Sequence, residues 1–313
     1  MREFDLIRTH FGTRGGARPE VLLGIGDDAA LLDAPAGQIW SWSIDTLVEG
    51  VHFAATDAAA DIGWKALAVN LSDLAAMGAT PVSALLALTL PTVDDDWLTA
   101  FSDGFGAMAA QHGVVLAGGD TTRGPRSISV TVLGTLPADQ VLRRDGARVG
   151  DVIAVTGTLG DAALALQLGV GAPPALRARL TRPAPRVAAG LALRGLASAA
   201  IDLSDGLLAD LGHVMAASGT AAAVRADLLP ASAVFLDAVP AGRATALQSA
   251  GGDDYELCVC LPPERVADAV VALAALSLPL TVIGRVCEGQ GTVNLLHADG
   301  SAVDTGPRGY QHF

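Results

Sequence analysis

The chain has 313 residues, of which 51% are hydrophobic, and its formal net charge is −13. This length and apolar content allow a sizeable buried core and suggest about two domains. The acidic balance, without any basic run, excludes a nucleic-acid binder, because such a protein needs a positively charged face.

The first residues predict an amphipathic helix rather than a signal peptide. Arg2, Asp5 and Arg8 fall where the apolar core of a signal peptide would lie. The most apolar later stretch, Val266–Gly284, is interrupted by an aspartate and a proline, which favours a helix followed by a strand over a membrane span. We therefore expect a cytoplasmic protein that does not bind a membrane.

Strand and helix patterns alternate through the first half of the chain. Gln38–Asp45 predicts a strand with Ser43 and Asp45 on one face and large apolar side chains on the other. Asp61–Gly78 predicts a helix with an apolar stripe on one face. The following elements are predicted at Val82–Leu90 (strand), Asp94–His112 (helix), Val114–Ala117 (strand) and Ser127–Leu136 (strand).

The polar stretch Pro137–Gly150 predicts a boundary between domains at residues 1–137 and 138–313. The alternation resumes after it and indicates two α/β domains. The elements of the second half are predicted at Asp151–Thr156 (strand), Asp161–Leu168 (helix), a strand into Ile201, a helix from Ser204, Tyr255–Leu261 (strand), Pro263–Leu276 (helix) and Leu280–Val286 (strand).

Two residue types limit the chemistry. Lys65 is the only lysine and no GxxxxGK sequence occurs, so neither a Walker A loop nor the protein-kinase lysine is available to bind ATP phosphates. A disulfide framework is not expected, because the number of cysteines is odd and the fold is not small; the three are Cys258, Cys260 and Cys287. The first two alternate within a predicted strand and are interpreted as core residues rather than zinc ligands.

Six segments place aspartate beside glycine, serine or threonine near the ends of predicted elements. Each has a plain structural interpretation as a turn, a strand end or a helix N-cap, and no EF-hand loop occurs among them. The segments contain Asp27-Asp28, Ser43-Ile44-Asp45, Asn70 with Asp73, Gly119-Asp120, Asp202 with Ser204-Asp205, and Asp253-Asp254.

Together these segments favour a site for hard cations. Aspartate is a short, stiff oxygen donor that suits Mg²⁺. If the carboxylates converge, two unit charges about 4 Å apart repel by about 4 kcal/mol at an effective dielectric constant of 20. Several cations would be needed, and metal-bridged nucleotide phosphates are their natural companions. A non-catalytic acidic metal-binding protein is the alternative.

The ordered set of motifs resembles the thiamine-monophosphate kinase family, within the aminoimidazole ribonucleotide synthetase superfamily. The resemblance covers almost the whole chain, from GIGDDAALL to the terminal GYQHF. The strongest stretches are KALAVNLSDLAAMGATP (65–81), GGDTTRGP (118–125), VTGTLG (155–160), IDLSDGLLADLG (201–212) and GGDDYELC (251–258).

The resemblance implies a two-domain fold of that superfamily, a homodimer formed through the N-terminal sheets, and a C-terminal domain that completes the active-site cleft. It also implies direct in-line transfer of the γ-phosphoryl group of ATP to thiamine monophosphate with several Mg²⁺ ions, with Asp45, Asp120 and Asp205 catalytic. The implied metal ligands are Asp28, Ser43, the carbonyl of Ile44, Asp45, Asp73, Asp120, Asp202 and Asp205. The implied ATP contacts are Gly119, Asp120, Arg144 and Ser204, and the implied substrate contacts are His52 and Asp253.

Two positions depart from the family pattern, and both concern the acceptor. Family members commonly have Glu at the position of Asp253, and a large aromatic residue at the position of Pro307. Either Tyr310 or another aromatic residue replaces it, or the affinity for the acceptor is lower. His52 could instead act as a phosphorylated nucleophile or be structural. Another ATP-dependent member of the superfamily, acting on a different small acceptor, is therefore the main alternative.

Overall fold

A computed structural model describes residues 9–11, 18–23, 30–33, 35–304, 306 and 309–310. Most of the helix predicted at the start of the chain lies outside these residues, as do Asp27, Asp28 and Pro307. The chain divides into two compact units. The first contains the described residues up to Leu74 and Ala79–Asp139, and the second contains Ala75–Gly78 and the described residues from Gln140 onward.

The first unit is built on a four-stranded mixed sheet. The strands of this unit are β1 (Val21–Leu23), β2 (Leu31–Leu32), β3 (Gln38–Val48), β4 (Thr80–Leu90), β5 (Val115–Arg123) and β6 (Ser127–Pro137). The order in the four-stranded sheet is β3-β6-β4-β5; β6 runs antiparallel to both of its neighbours, and β4 and β5 are parallel. A separate two-stranded sheet pairs β1 with β2.

The alternation predicted for β3 is confirmed. Trp42 and Ile44 expose 65% and 62% of their surface, whereas Leu47, on the opposite face, is buried. The strand continues to Val48, three residues beyond its predicted end. This difference places Asp45 inside a strand rather than at its end.

Among the described residues, this part of the chain contains the helices α1 (Ala59–Ala76) and α2 (Asp95–His112). Asp94 caps α2 by accepting hydrogen bonds from the backbone N–H groups of Asp96 and Trp97, both at 3.1 Å. Gly113 ends the helix in the left-handed conformation at φ 63°. These caps explain why the predicted bounds of α2 agree with the structure.

Glycines bring α1 and α2 into backbone contact. A Cβ atom on Gly104 would lie 1.8 Å from the carbonyl oxygen of Ala60, and one on Gly63 would lie 2.0 Å from that of Phe101. Separation of the helices to make room would expose apolar surface, because Phe101 of α2 and Leu67 of α1 are fully buried. The spacing of the two helices therefore depends on the absence of a side chain at both positions.

The second unit contains a six-stranded sheet, whose strands are β7 (Val152–Thr156), β8 (Ala199–Asp202), β9 (Ala221–Arg225), β10 (Leu257–Leu261), β11 (Leu280–Cys287) and β12 (Val293–Leu296). Their order in the sheet is β12-β9-β11-β7-β10-β8, and all neighbours are antiparallel except β12 with β9. Its α-helices are α3 (Asp161–Leu168), α4 (Pro174–Thr181), α5 (Val187–Leu193), α6 (Leu207–Ser218), α7 (Ala233–Ala238), α8 (Ala244–Ala250) and α9 (Val266–Ala274). Short 3₁₀ turns span Gly169–Gly171, Ala226–Leu228 and Pro263–Arg265.

The interior strands β7 and β10 are buried along their whole length, as expected for strands covered on both faces. Cys258 and Cys260 lie in β10 as free, buried thiols, which confirms their interpretation as core residues. Burial raises the pKa of Cys260 to about 12, so this thiol stays protonated and unreactive.

The α/β class predicted from the sequence is confirmed by these two units of sheet and helix. Among the described residues, no helix has both the length and the apolar character needed to cross a bilayer.

Replacement of Gly104 by alanine is expected to lower the free energy of unfolding by about 1–3 kcal/mol, because the added methyl group meets fixed backbone rather than a movable side chain. The matched control is Gly212→Ala in α6, where a Cβ atom would meet nothing within 4 Å. That control should keep or raise stability by up to about 1 kcal/mol, since alanine is the better helix former. Thermal unfolding of the two variants checks this, and equal melting temperatures would contradict the close helix contact.

Candidate active site

In the first unit, β3 and α1 bring polar side chains together. Ser43 Oγ donates a hydrogen bond to Asp73 Oδ2. The backbone N–H of Asp45 donates to Asn70 Oδ1 at 2.9 Å, and the amide nitrogen of Asn70 donates to the carbonyl of Ala66 at 2.9 Å. Ser43 and Asp45 share a strand face, and Asn70 and Asp73 lie one turn apart on the helix. The result is a half-buried group of oxygen atoms at the edge of the sheet.

Ile44 presents its side chain to the opposite face of β3. The N–H of Asp45 points away from β6, toward Asn70. The alternation of an antiparallel ladder therefore turns the carbonyl of Ile44 toward β6, and a metal ion could use only its second lone pair.

Asp120 lies away from this group. It is inside β5, not at the end of a strand as predicted, and is paired with Ala87 of β4. Ala87 is paired with Ser129 of β6, which is paired with Thr46 of β3, so these residues form one line across the sheet and share a face. Because Thr46 is adjacent to Asp45 in β3, Asp120 points to the face opposite Asp45. β3 and β5 are the two edges of the sheet, about 14 Å apart at roughly 4.8 Å per strand. One unit therefore does not place Asp45 and Asp120 on the same ion.

Gly119 precedes Asp120 and is required by a close approach. A Cβ atom there would lie 1.9 Å from the carbonyl oxygen of Leu86. The glycine pair that the sequence suggested as a turn instead allows β5 to lie tightly against β4, with an extra residue in β5 between the partners of Ala84 and Leu85.

His52 lies in the turn that follows β3. Its Nδ1 accepts a hydrogen bond from the backbone N–H of Val48 at 3.0 Å, and the backbone N–H of His52 donates to the carbonyl of Val48 at 3.0 Å. In the neutral ring the proton is therefore on Nε2, because Nδ1 acts as an acceptor. This arrangement favours His52 as a hydrogen-bond donor to a ligand through Nε2. It disfavours His52 as a nucleophile, because the lone pair of Nδ1, which would have to attack, already accepts a hydrogen bond.

In the second unit, Asp202, Ser204 and Asp205, three of the predicted ATP and metal residues, lie at the junction between β8 and α6. Asp202 is the buried last residue of β8, and Ser204 and Asp205 follow half-buried. The prediction that Ser204 is the N-cap of the helix is wrong: Gly206 occupies that position and α6 begins at Leu207.

The side chain of Asp210 replaces the missing cap. Its Oδ2 accepts hydrogen bonds from the backbone N–H groups of Ser204, Asp205 and Gly206, each at 3.1 Å. Burial, with the nearby charge of Asp205, raises the pKa of Asp210 to about 7, although the three N–H donors oppose this shift. Asp210 was not among the residues predicted from the sequence. Its position as the fourth residue of the helix, from which a side chain can reach back to the preceding turn, was the available signal.

The segment from Gly251 to Glu256 lies directly against this turn. The N–H of Asp253 donates to the carbonyl of Ser204 at 2.8 Å, and that of Tyr255 donates to the carbonyl of Leu203 at 2.8 Å. The hydroxyl of Tyr255 donates to Asp253 Oδ1 at 3.0 Å. The structure therefore brings the predicted acceptor residue Asp253 next to the predicted ATP residue Ser204.

The neighbouring acids of that segment are structural. Asp254 is buried, its Oδ1 accepts from the N–H of Gly160 at 2.9 Å, and burial raises its pKa well above the usual range. Glu256 is fully buried and pairs with Arg179 and Arg186. Only Asp253 of the three acids is half-exposed.

Two further residues complete the second unit's candidate site. The N–H of Tyr310 donates to the carbonyl of Asp205 at 3.1 Å, so this aromatic residue lies at the same turn. Arg144 is exposed, and its carbonyl accepts from Ser218 Oγ at 2.8 Å. Within neither unit do three or more described His, Cys, Asp or Glu side chains gather into a metal-binding group; Asp28 lies outside the residues that the structure describes.

Comparison with known proteins adds to this geometry. The chain matches the AIR synthase related proteins, with their N-terminal domain over residues 26–136 and their C-terminal domain over residues 148–295. It is 46% identical to the thiamine-monophosphate kinase of Salmonella typhimurium, covering 99% of this chain and 98% of that one.

Two solved structures are similar over nearly the full chain. The thiamine-monophosphate kinase of Stenotrophomonas maltophilia is 50% identical with a TM-score of 0.86, covering 96% of each chain. AaThiL, solved in complex with AMPPCP and TMP, is 31% identical with a TM-score of 0.80, covering 99% of this chain and 96% of that one. The chain therefore belongs to the thiamine-monophosphate kinase family of AIR synthase related proteins, as its motifs predicted.

Proposed function

We propose that this chain transfers the γ-phosphoryl group of ATP to thiamine monophosphate, giving thiamine diphosphate and ADP. The observation that carries the proposal is the full-length likeness to thiamine-monophosphate kinases, one of them solved with an ATP analogue and TMP. The location of Asp253 beside Ser204 supports it, because the assigned acceptor contact and the assigned ATP contact are then neighbours. A cytoplasmic location is part of the same proposal.

The donor set fits Mg²⁺. Ser43, Asp45 and Asp73 offer hard oxygen atoms on adjacent elements of the first unit, and Asp202 and Asp205 do so in the second. We assign the same role to Asp28. Several bound Mg²⁺ ions would neutralise the phosphates and align the attacking and leaving oxygens.

The remaining assigned residues bind and orient. The exposed guanidinium of Arg144 suits a phosphate group, which a chain with a single lysine must bind through arginine or metal. Gly119 is assigned to ATP through its backbone groups, because β4 already fills the space that a side chain would take. The attacking phosphate oxygen is already ionised, so no general base is required and in-line transfer depends on positioning.

Acceptor recognition is assigned to His52 and Asp253. The Nε2–H of His52 can donate to a phosphate or a pyrimidine nitrogen. The carboxylate of Asp253 complements the positive charge of the thiazolium ring, although it reaches about one methylene less than the glutamate common in the family.

The same proposal makes the enzyme a homodimer formed through the sheets of the first unit. Trp42 and Ile44 are exposed side by side on one face of β3, and Ile39 is 44% exposed; contiguous exposed apolar surface of this kind suits a protein partner. A second copy would also resolve the separation of Asp45 from Asp120, since its own β5 edge could supply Asp120 to the β3 edge of the first.

A coupled assay of ADP release with Mg²⁺-ATP tests the reaction. Release is expected with thiamine monophosphate, with thiamine diphosphate as the product, and not with free thiamine or without an acceptor. Activity with a different small acceptor only would favour another reaction of the superfamily. Mg²⁺ binding without nucleotide binding or turnover would favour a non-catalytic metal-binding protein.

Mixed dimers test the shared site. Asp45→Asn and Asp120→Asn are each expected to abolish turnover of the pure variant. Co-expression of the two should restore about one quarter of wild-type activity, because half of randomly assorted dimers are mixed and each has one intact site of two.

The matched control pairs Asp45→Asn with Asp73→Asn, whose wild-type side chains belong to the same group on β3 and α1. These mixed dimers should stay inactive, because neither site is complete. An inactive Asp45→Asn/Asp120→Asn mixture, with mixed dimers demonstrated by two affinity tags, would place both carboxylates in one chain's site and leave the proposed reaction untouched.

The variant His52→Asn distinguishes the roles of the two ring nitrogens of His52. Asparagine Oδ1 can take the place of Nδ1 and still accept from the Val48 N–H, but no donor remains at the position of Nε2. The KM for thiamine monophosphate should rise about 10-fold, the effect of losing one hydrogen bond to a charged group. The melting temperature and the KM for ATP should not change. An unchanged KM for the acceptor would remove His52 from the substrate site.

A further inference from the structure

The turn before α6 is fixed from the inside by one carboxylate oxygen. Asp210 is 3% exposed, and three consecutive backbone N–H groups converge on its Oδ2 at 3.1 Å. Three consecutive N–H groups at the start of a helix form an arrangement that binds anions. Here the chain supplies the anion itself, so these N–H groups are not available to a phosphate.

The carbonyl side of the same peptides is also occupied. The carbonyl of Ser204 accepts from the N–H of Asp253, and that of Asp205 accepts from the N–H of Tyr310. The peptide groups of the turn are thus bonded to Asp210 through their N–H groups, and to the segments that contain Asp253 and Tyr310 through their carbonyls. Their orientation determines where the side chains of Ser204 and Asp205 point.

We infer that Asp210 is a positioning residue for phosphoryl transfer: its buried carboxylate orients the Ser204–Gly206 turn, and through that turn it aligns Asp205 and Ser204 with Asp253. This role deepens the proposed function and rests on it. Because Asp210 is buried behind the turn, this role requires no contact with the nucleotide or the acceptor. It acts by keeping three peptide planes in one orientation, and a small misplacement of a phosphate or metal contact is costly in the rate.

Removal of the carboxylate tests this role. Asp210→Ala should lower kcat by about 10-fold or more, because the turn loses its internal anion. Added formate should restore part of that loss by entering the vacated position between the three N–H groups. The matched control is Asp268→Ala, an exposed first-turn acid of α9 with 61% of its side chain accessible. It should keep wild-type kcat and show no response to formate.

A second readout does not depend on turnover. Amide hydrogen exchange in a peptide spanning 203–207 should be faster in Asp210→Ala than in the wild type, and formate should slow it again. If this variant does not fold, Asp210→Asn, which keeps an acceptor oxygen but no charge, should show a smaller rise in exchange and a smaller loss of kcat.

Wild-type kcat and unchanged exchange in a folded Asp210 variant would overturn the inference. A loss of kcat that follows only the fraction of folded protein, without any response to formate, would reduce Asp210 to a structural role and also overturn it. Failure of the proposed reaction itself is distinguishable, because the wild type would then not form thiamine diphosphate while the exchange difference persisted.

Discussion

The arrangement of the second unit depends on one buried ion-pair network. Glu256 is 0% exposed, and its carboxylate accepts from Arg186 Nε at 2.6 Å, Arg179 Nη2 at 2.7 Å and Thr156 Oγ1 at 2.7 Å. A buried carboxylate is tolerated only when it is paired and hydrogen-bonded. Gly157 presses so closely that a Cβ atom there would lie 2.2 Å from Glu256 Oε1. Glu256 therefore fixes the start of β10, and its fixed position constrains the path of the segment 251–255 that precedes it.

That segment adopts an unfavourable backbone conformation. Asp253 and Tyr255 have φ angles of 66° and 49°, in the left-handed region that side chains rarely occupy. Such conformations cost on the order of 1 kcal/mol or more each and persist only where the surroundings enforce them. The hydrogen bonds to the carbonyls of Leu203 and Ser204 enforce them here. Stability contributed at Glu256 thus offsets strain that places Asp253 beside the candidate ATP and metal turn.

Much of this organisation could be predicted from the sequence, but which acidic residues are structural and which belong to the candidate site could not. Strand periodicity placed Ser43 and Asp45 on one face correctly. The same local pattern could not separate Asp253 from its neighbour Asp254, because the difference arises from burial against Gly160 and Arg179, which are remote in sequence. The error at Ser204 has the same origin, since a side chain within the helix, not the residue before it, caps the N-terminus.

The separation of Asp45 from Asp120 also follows from a property that no local pattern reports. The register of four strands decides which residues share a row, and the extra residue in β5 shifts every later side chain by one position. The physical consequence is favourable for a chain of this charge. Carboxylates held on opposite faces repel little across about 14 Å, so the two acids do not strain the first unit. In the proposed homodimer, assembly would bring these charges together, and the cost of gathering them would be met by the metal ions and phosphates bound there.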